Sequence, residues 1–93
     1  MSDDLVCRRV VFHGRVQGVG FRMTAARVAR GFPVGGTVGN CPNGTVELIA
    51  AGAARDVDAF LEALRSAMSG YITREDVSPG PPGFAPNRFE IVR

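Results

Sequence analysis

Lysine and tryptophan are both missing from this chain of 93 residues, and histidine occurs once. All side-chain basic charge therefore rests on 11 arginines against 9 acidic residues, a net charge of +2. That balance is too mild for a general nucleic-acid or membrane surface. No apolar run approaches the roughly 18 residues a membrane span requires. The start, Met1-Ser2-Asp3-Asp4, is acidic where a secretory signal would be basic and then apolar. A cytosolic protein with no membrane partner is expected. Two cysteines, Cys7 and Cys41, are too few for a disulfide framework or a four-ligand metal site and are read as free thiols. Internal repeats and interdomain linkers are absent, so residues 1–93 are expected to form a single domain around one core.

What is present has a regular order. Residues 5–13 are rich in β-branched side chains and stop at Gly14, which predicts a strand with Val10 and Phe12 on one face and Val11 and His13 on the other. From Phe21 the apolar residues Phe21, Ala25, Val28 and Phe32 recur at helical spacing, with Gly31 suited to a left-handed stop and Pro33 barring continuation. Residues 35–41 and 45–50 flank Pro42-Asn43-Gly44, and Asn-Gly between two β runs signals a hairpin. A second helix is expected over 54–68, its stripe formed by Val57, Phe60, Leu61, Leu64 and Met68, with Gly70 closing it. Tyr71 to Val77 suits a polar edge strand. Ser78 to Pro86 holds four prolines and is expected to lie outside regular structure, before a closing strand over 88–93. The order is β-α-β-β-α-β with a further terminal strand. It predicts an α+β ferredoxin-like two-layer sandwich, two helices on one face of a mainly antiparallel four- to five-stranded sheet.

One stretch stands out chemically: Gly14-Arg15-Val16-Gln17-Gly18-Val19-Gly20-Phe21-Arg22. Three glycines join the first strand to the first helix. Glycine reaches positive φ and lets N–H groups crowd around a ligand. Where such a loop enters a helix, unpaired N–H groups converge with the positive end of the helix dipole, a socket for a phosphate-sized anion. Arg22 falls in the first helical turn, where a cation opposes the dipole by about 0.3–1 kcal/mol. An anion held between Arg22 and the loop explains it. A purely structural glycine turn is the plain alternative. A dinucleotide fingerprint is excluded because its third glycine position is Met23, and a Walker loop because no Gly-Lys-Ser/Thr follows. Asn40, near the end of a strand that would ordinarily avoid asparagine, hints at a task or simply begins the turn. His13 invites a general-base reading, against the ordinary one of a strand-end histidine.

As a literal string, GRVQGVGFR resembles the signature of the acylphosphatase family, Gly-x-Val-Gln-Gly-Val-x-Phe-Arg. Val38-Gly39-Asn40 resembles the family's Val-x-Asn, Asn43-Gly44-Thr45-Val46-Glu47 its hairpin, and Phe89 to Arg93 its closing strand. The likeness weakens between about Gly70 and Asn87. Gly39 departs from it, since the family usually carries a larger polar or basic residue there. The resemblance implies hydrolysis of a carboxyl–phosphate anhydride, with Arg22 and Asn40 as the catalytic pair. Phosphate would be held by the loop N–H groups of Arg15, Val16, Gln17, Gly18, Val19 and Gly20 and clamped by Arg22. Asn40 would fix the attacking water. Neither metal nor other cofactor is expected, nor a covalent intermediate, and Cys41 should point away on the opposite pleat face. The implied partners are a small acyl phosphate and inorganic phosphate, as product and inhibitor, acting on a monomer.

Rival readings are another phosphoryl substrate such as a carbamoyl phosphate, a phosphate-sensing domain without turnover, and a ferredoxin-like RNA-binding module. The family includes domains built into larger maturation enzymes; the lack of cysteine-pair zinc motifs leads to the expectation of a stand-alone enzyme. RNA recognition stacks bases on sheet aromatics in basic surroundings, and Thr45 to Ala50 holds no aromatic residue. Asn40 discriminates the enzyme from the sensor, because Arg22 would serve both.

Overall fold

Val10 and Phe12 lie wholly inside the protein, flanked along the chain by more accessible residues, so the first strand has one buried face. In the computed structural model, which describes residues 4–93, the elements are β1 (Leu5–Gly14), α1 (Phe21–Ala29), β2 (Gly35–Asn40), β3 (Val46–Ala53), α2 (Ala54–Ala67), β4 (Ile72–Pro79) and β5 (Phe89–Ile91). The strands form a single sheet in the order β4-β1-β3-β2-β5. Strand β3 runs antiparallel to both β1 and β2, β4 is antiparallel to β1, and β5 joins β2 in parallel. Each helix thus crosses over one inserted strand, which is the split β-α-β arrangement expected for a ferredoxin-like sandwich.

Both helices pack on one sheet face around a single cluster. Val38, Val46, Leu48 and Ala50 meet Phe21, Ala25 and Ala29 of α1 and Val57, Phe60, Leu61 and Leu64 of α2, with Met68 closing one end. The α1 stripe turns out as 21, 25 and 29, leaving Val28 and Phe32 only partly buried against the cluster. Gly31 does not adopt the left-handed stop. It is absent from the positive-φ glycines, and the helix instead tightens through Arg30 N–H to Arg27 O, Gly31 N–H to Val28 O and Phe32 N–H to Ala29 O. The irregular proline segment begins two residues later than expected. Ser78 and Pro79 still pair with Arg9 and Arg8, since an outer-edge strand tolerates proline's missing N–H. Strand β3 runs on to Ala53 and β5 covers only three residues.

The topology decides what ends up side by side. Strands β1 and β2 point the same way, so the loop leaving β1 and the last residue of β2 share one rim of the sheet. Phe12 and Asn40 both pair with Val46, from opposite sides. Directly paired residues project to the same face, so the Asn40 side chain points to the helix layer, as Phe12 does. Cys41 follows beyond the strand. Cys7 pairs with Ala51, five positions along β3 from Val46 and so about 17 Å from the Asn40 end. Both thiols are free.

Candidate active site

The loop between β1 and α1 is pinned at three points, and each sets what the rest can do. Arg15 donates its main-chain N–H to the Tyr71 carbonyl at 2.9 Å and lays its guanidinium over the Tyr71 ring, 5.5 Å from the centroid. Its N–H is therefore spent inside the fold, which removes Arg15 from the expected set of phosphate donors. Val16 is buried in the core. Gln17 sends its side-chain amide to the Cys41 and Thr45 carbonyls at 2.8 and 2.9 Å, tying the loop to the β2–β3 hairpin. Its contribution to an anion would come from main chain alone.

Beyond these anchors the backbone turns through Gly18 and Gly20, at φ 76° and 79°. An added Cβ would meet nothing within 4 Å at either position, so conformation rather than space selects glycine. Gly20 caps α1 without any side-chain hydrogen bond, and its carbonyl accepts the Thr24 N–H at 2.9 Å. Among the described residues, no carbonyl or side-chain acceptor engages the main-chain N–H groups from Val16 to Met23. There is no acidic side chain in the first turn of α1 to complement the dipole. The helix end is left as an electropositive, hydrogen-bond-rich concavity.

Arg22 and Asn40, 18 positions apart in sequence, meet at one oxygen. The Arg93 carbonyl accepts from Arg22 Nη1 at 2.5 Å and from the Asn40 N–H at 3.1 Å. The Arg93 side chain returns the contact, donating from Nε to the Asn40 carbonyl at 3.2 Å and pairing with Glu47 at 3.4 Å. Gly39 makes room for this. A Cβ there would press on the Val92 and Arg93 side chains at about 3.2 Å, so the missing side chain is replaced in space by the returning chain end. The side-chain oxygen of Asn40, Oδ1, is fully buried with no hydrogen-bond partner. An orphaned buried acceptor is costly, on the order of 1–3 kcal/mol, unless something from outside the chain completes it.

A cavity of about 250 Å³ joins these parts, lined by Val16, Gly18, Gly20, Phe21, Arg22, Met23, Asn40 and Ile91. Val19 packs partly against the core and, with Arg15 and Gln17, lies outside the lining. His13 is elsewhere, on the open sheet face, with Nε2 2.8 Å from Asp76. Its hydrogen bond, then that of Arg74, holds the Asp76 carboxyl below its ordinary value. Burial pushes the Cys7 thiol up. The two strand phenylalanines, Phe12 and Phe89, pack into the helix layer and leave the open face without their rings. Among the described residues no three His, Cys, Asp or Glu side chains cluster to hold a metal ion, and no helix is long and apolar enough to cross a membrane. Sequence reasoning missed the contacts of Arg93 and of the Gln17 side chain; the signals were the position of Gln17 inside the motif and that of Arg93 in the closing strand.

Fold and cavity together define a ferredoxin-like α+β protein with a glycine-rich loop at a helix N-terminus, its main-chain N–H groups from Val16 onward free of partners within the described residues. Comparison narrows the class. The family model for acylphosphatase matches residues 8–91. An acylphosphatase of Cupriavidus necator is 42% identical over 82 residues, covering 87% of this chain and 89% of that protein. The crystal structure of acylphosphatase from Bacillus subtilis superposes with a TM-score of 0.85 at 32% identity, covering 97% of this chain and all of that one. The structure of T. kodakarensis HypF contains a similar unit, TM-score 0.78 at 28% identity, in only 12% of its length. The chain belongs to the acylphosphatase family.

Proposed function

We propose that this protein, an enzyme of that family, hydrolyses the carboxyl–phosphate bond of small acyl phosphates, with the phosphate in the loop cradle and the water on Asn40. The single observation that carries the catalytic assignment is that Asn40 lines the cavity shared by Arg22 and the glycine loop, with an Oδ1 that no group of the chain partners. A sensor domain would need the cradle and Arg22 but would leave that oxygen idle.

Main-chain N–H groups from Val16 to Gly20 and the end of α1 hold the phosphoryl oxygens. Arg22 keeps four N–H donors beyond the one given to Arg93, enough for a planar two-point grip that lysine could not reproduce. Asn40 accepts a hydrogen bond from a water through Oδ1 and so aims the water's lone pair at phosphorus. The water oxygen bonds to phosphorus as the bond to the carboxyl oxygen breaks. The carboxylate leaves with that electron pair, and the water's proton passes to a phosphoryl oxygen, as the family resemblance implies. A carboxylate is a good leaving group, so no general acid is required. Catalysis then rests on positioning and on charge stabilisation in a preorganised site. The same reading has a monomer working in the cytosol, its product phosphate competing with substrate.

Incubation with acetyl or benzoyl phosphate, with and without chelator, tests this. Loss of the anhydride should be insensitive to chelator and competitively inhibited by inorganic phosphate. A chelator-abolished rate, or no hydrolysis of either compound, would overturn it.

A further inference from the structure

Between Asp4 and Glu47 the chain holds six arginines and no acidic residue, and the fold accounts for four of them. Arg8 pairs with Asp58 and Arg9 with Glu47, Arg15 lies over Tyr71, and Arg22 reaches the Arg93 carbonyl. The other two, Arg27 and Arg30, sit at the C-terminal end of α1. Among the described residues no acceptor engages either guanidinium. Arg30 caps the helix, where the dipole favours a cation. That explains one positive charge at this place but not a second.

The second comes from another element. A hollow of about 300 Å³ lies between that end of α1 and the start of β5, with Arg30 and Arg88 as the charged residues of its lining and no acid among them. Both main chains are fixed: the Arg30 N–H donates to the Arg27 carbonyl at 3.3 Å, and the Arg88 carbonyl accepts the Gly36 N–H at 3.0 Å. The Arg88 guanidinium meets Glu90 at 3.5 Å, with the two side chains 79% and 53% exposed. A pair standing in solvent like that contributes little and is readily exchanged. Two guanidiniums facing one hollow repel each other until an anion lies between them, and their donors match the paired oxygens of a carboxylate. The rest of the lining, Phe32, Val34 and Phe89 included, is apolar, a surface for the body of a ligand.

We propose that Arg30 and Arg88 form a second anion site, which takes a small organic carboxylate with an aromatic or branched aliphatic body. It is separate from the phosphate cradle. Arg30 lies eight residues beyond Arg22, about 12 Å along the helix axis, and the two hollows share no lining residue. A bare inorganic anion suits it less well, because it leaves Phe32 and Phe89 uncovered. The site stands whatever the cradle binds.

Titration of the full chain with sodium benzoate, followed residue by residue by nuclear magnetic resonance, tests this. The amides of Arg30, Phe32, Val34 and Phe89 and the Nε–H of Arg88 should shift together, with one Kd on the order of 1–10 mM. Benzamide keeps the ring without the charge, and acetate keeps the charge without the ring. Each should bind about fivefold more weakly than benzoate, or worse. In the double variant Arg30→Gln/Arg88→Gln, both at exposed positions, the benzoate Kd should rise by about tenfold or more. Should that variant fail to fold, Arg88→Gln and the benzamide and acetate comparison in the unmodified chain decide. The site is overturned by unmoved resonances at these residues, or by shifts confined to Gly18, Gly20 and Arg22. It is equally overturned by a benzoate Kd that matches benzamide or acetate, or that is unchanged in the variants.

Discussion

Arg22 and Asn40 are asked to do different things, and truncation separates them. On the proposed mechanism, Arg22→Ala removes the grip on phosphate in ground and transition states alike. Phosphate inhibition should be lost and kcat/KM should fall by on the order of 3 kcal/mol or more, a factor above a hundred. On the same mechanism, Asn40→Ala should leave the cradle intact and remove only the acceptor for water. Turnover should collapse while the Ki for inorganic phosphate stays within about twofold, measured by competition or calorimetry. Parallel losses of phosphate affinity in both variants would contradict the division of labour. Both residues were legible in the chain as members of a recognisable string. Their shared acceptor was not, because the Arg93 carbonyl lies 71 positions beyond Arg22 and only the sheet brings it there. Gly39 carries the same lesson. Along the chain it is a missing side chain, whereas in the fold the space is filled by Val92 and Arg93.

At the scale of elements, the first strand, the glycine turns and the start of α1 were predictable, since these are local properties, whereas the buried stripe of α1 and its stop at Gly31 differed. Gly20 shows what that locality costs. At φ 79° a Cβ is disfavoured by about 1–2 kcal/mol, so Gly20→Ala should lower the urea midpoint accordingly. It should also raise KM, because the strained cap reorients the N–H groups of the cradle. The less predictable element is β4, an edge strand whose proline lies within the ladder and whose polar outer face is tied to β1. There His13 and Arg74 hold the Asp76 carboxyl below its usual range, so the folded form keeps the carboxylate ionised at lower pH than the unfolded chain does. Its contribution to stability is present above the unfolded value, near 3.8, and is lost as pH falls through the lower folded one. Asp76→Asn should therefore flatten the acid limb of stability against pH below about 4 and leave the limb near neutrality almost unchanged. The effect is small, because the pair stands in solvent. Urea midpoints across pH 2–7 check it.

For the whole molecule, the helix layer and the far edge of the sheet are one mechanical unit. Phe60 of α2 is fully buried and packs edge-on against Phe89 of β5, ring centroids 5.4 Å apart. Beyond Phe89 the chain runs directly into Ile91 on the cavity rim and the Arg93 carbonyl. Phe60→Ala should cost about 3–5 kcal/mol of folding stability, a large share of the 5–15 kcal/mol typical of a domain. It should also reduce activity under conditions where the protein remains folded, because β5 loses its buttress; circular dichroism melts and activity below the transition test the two effects separately. The sequence by itself determined the elements, their order, the buried stripe of α2 and the glycine turns of the loop, because each depends on residues within a few positions of one another. Tertiary structure alone decided that Asn40 faces the helix layer beside that loop, that the Arg15 N–H is spent on Tyr71, and that Arg93 joins the two catalytic candidates. Those are consequences of strand register and crossover, which pair residues tens of positions apart and leave no periodic trace in the chain.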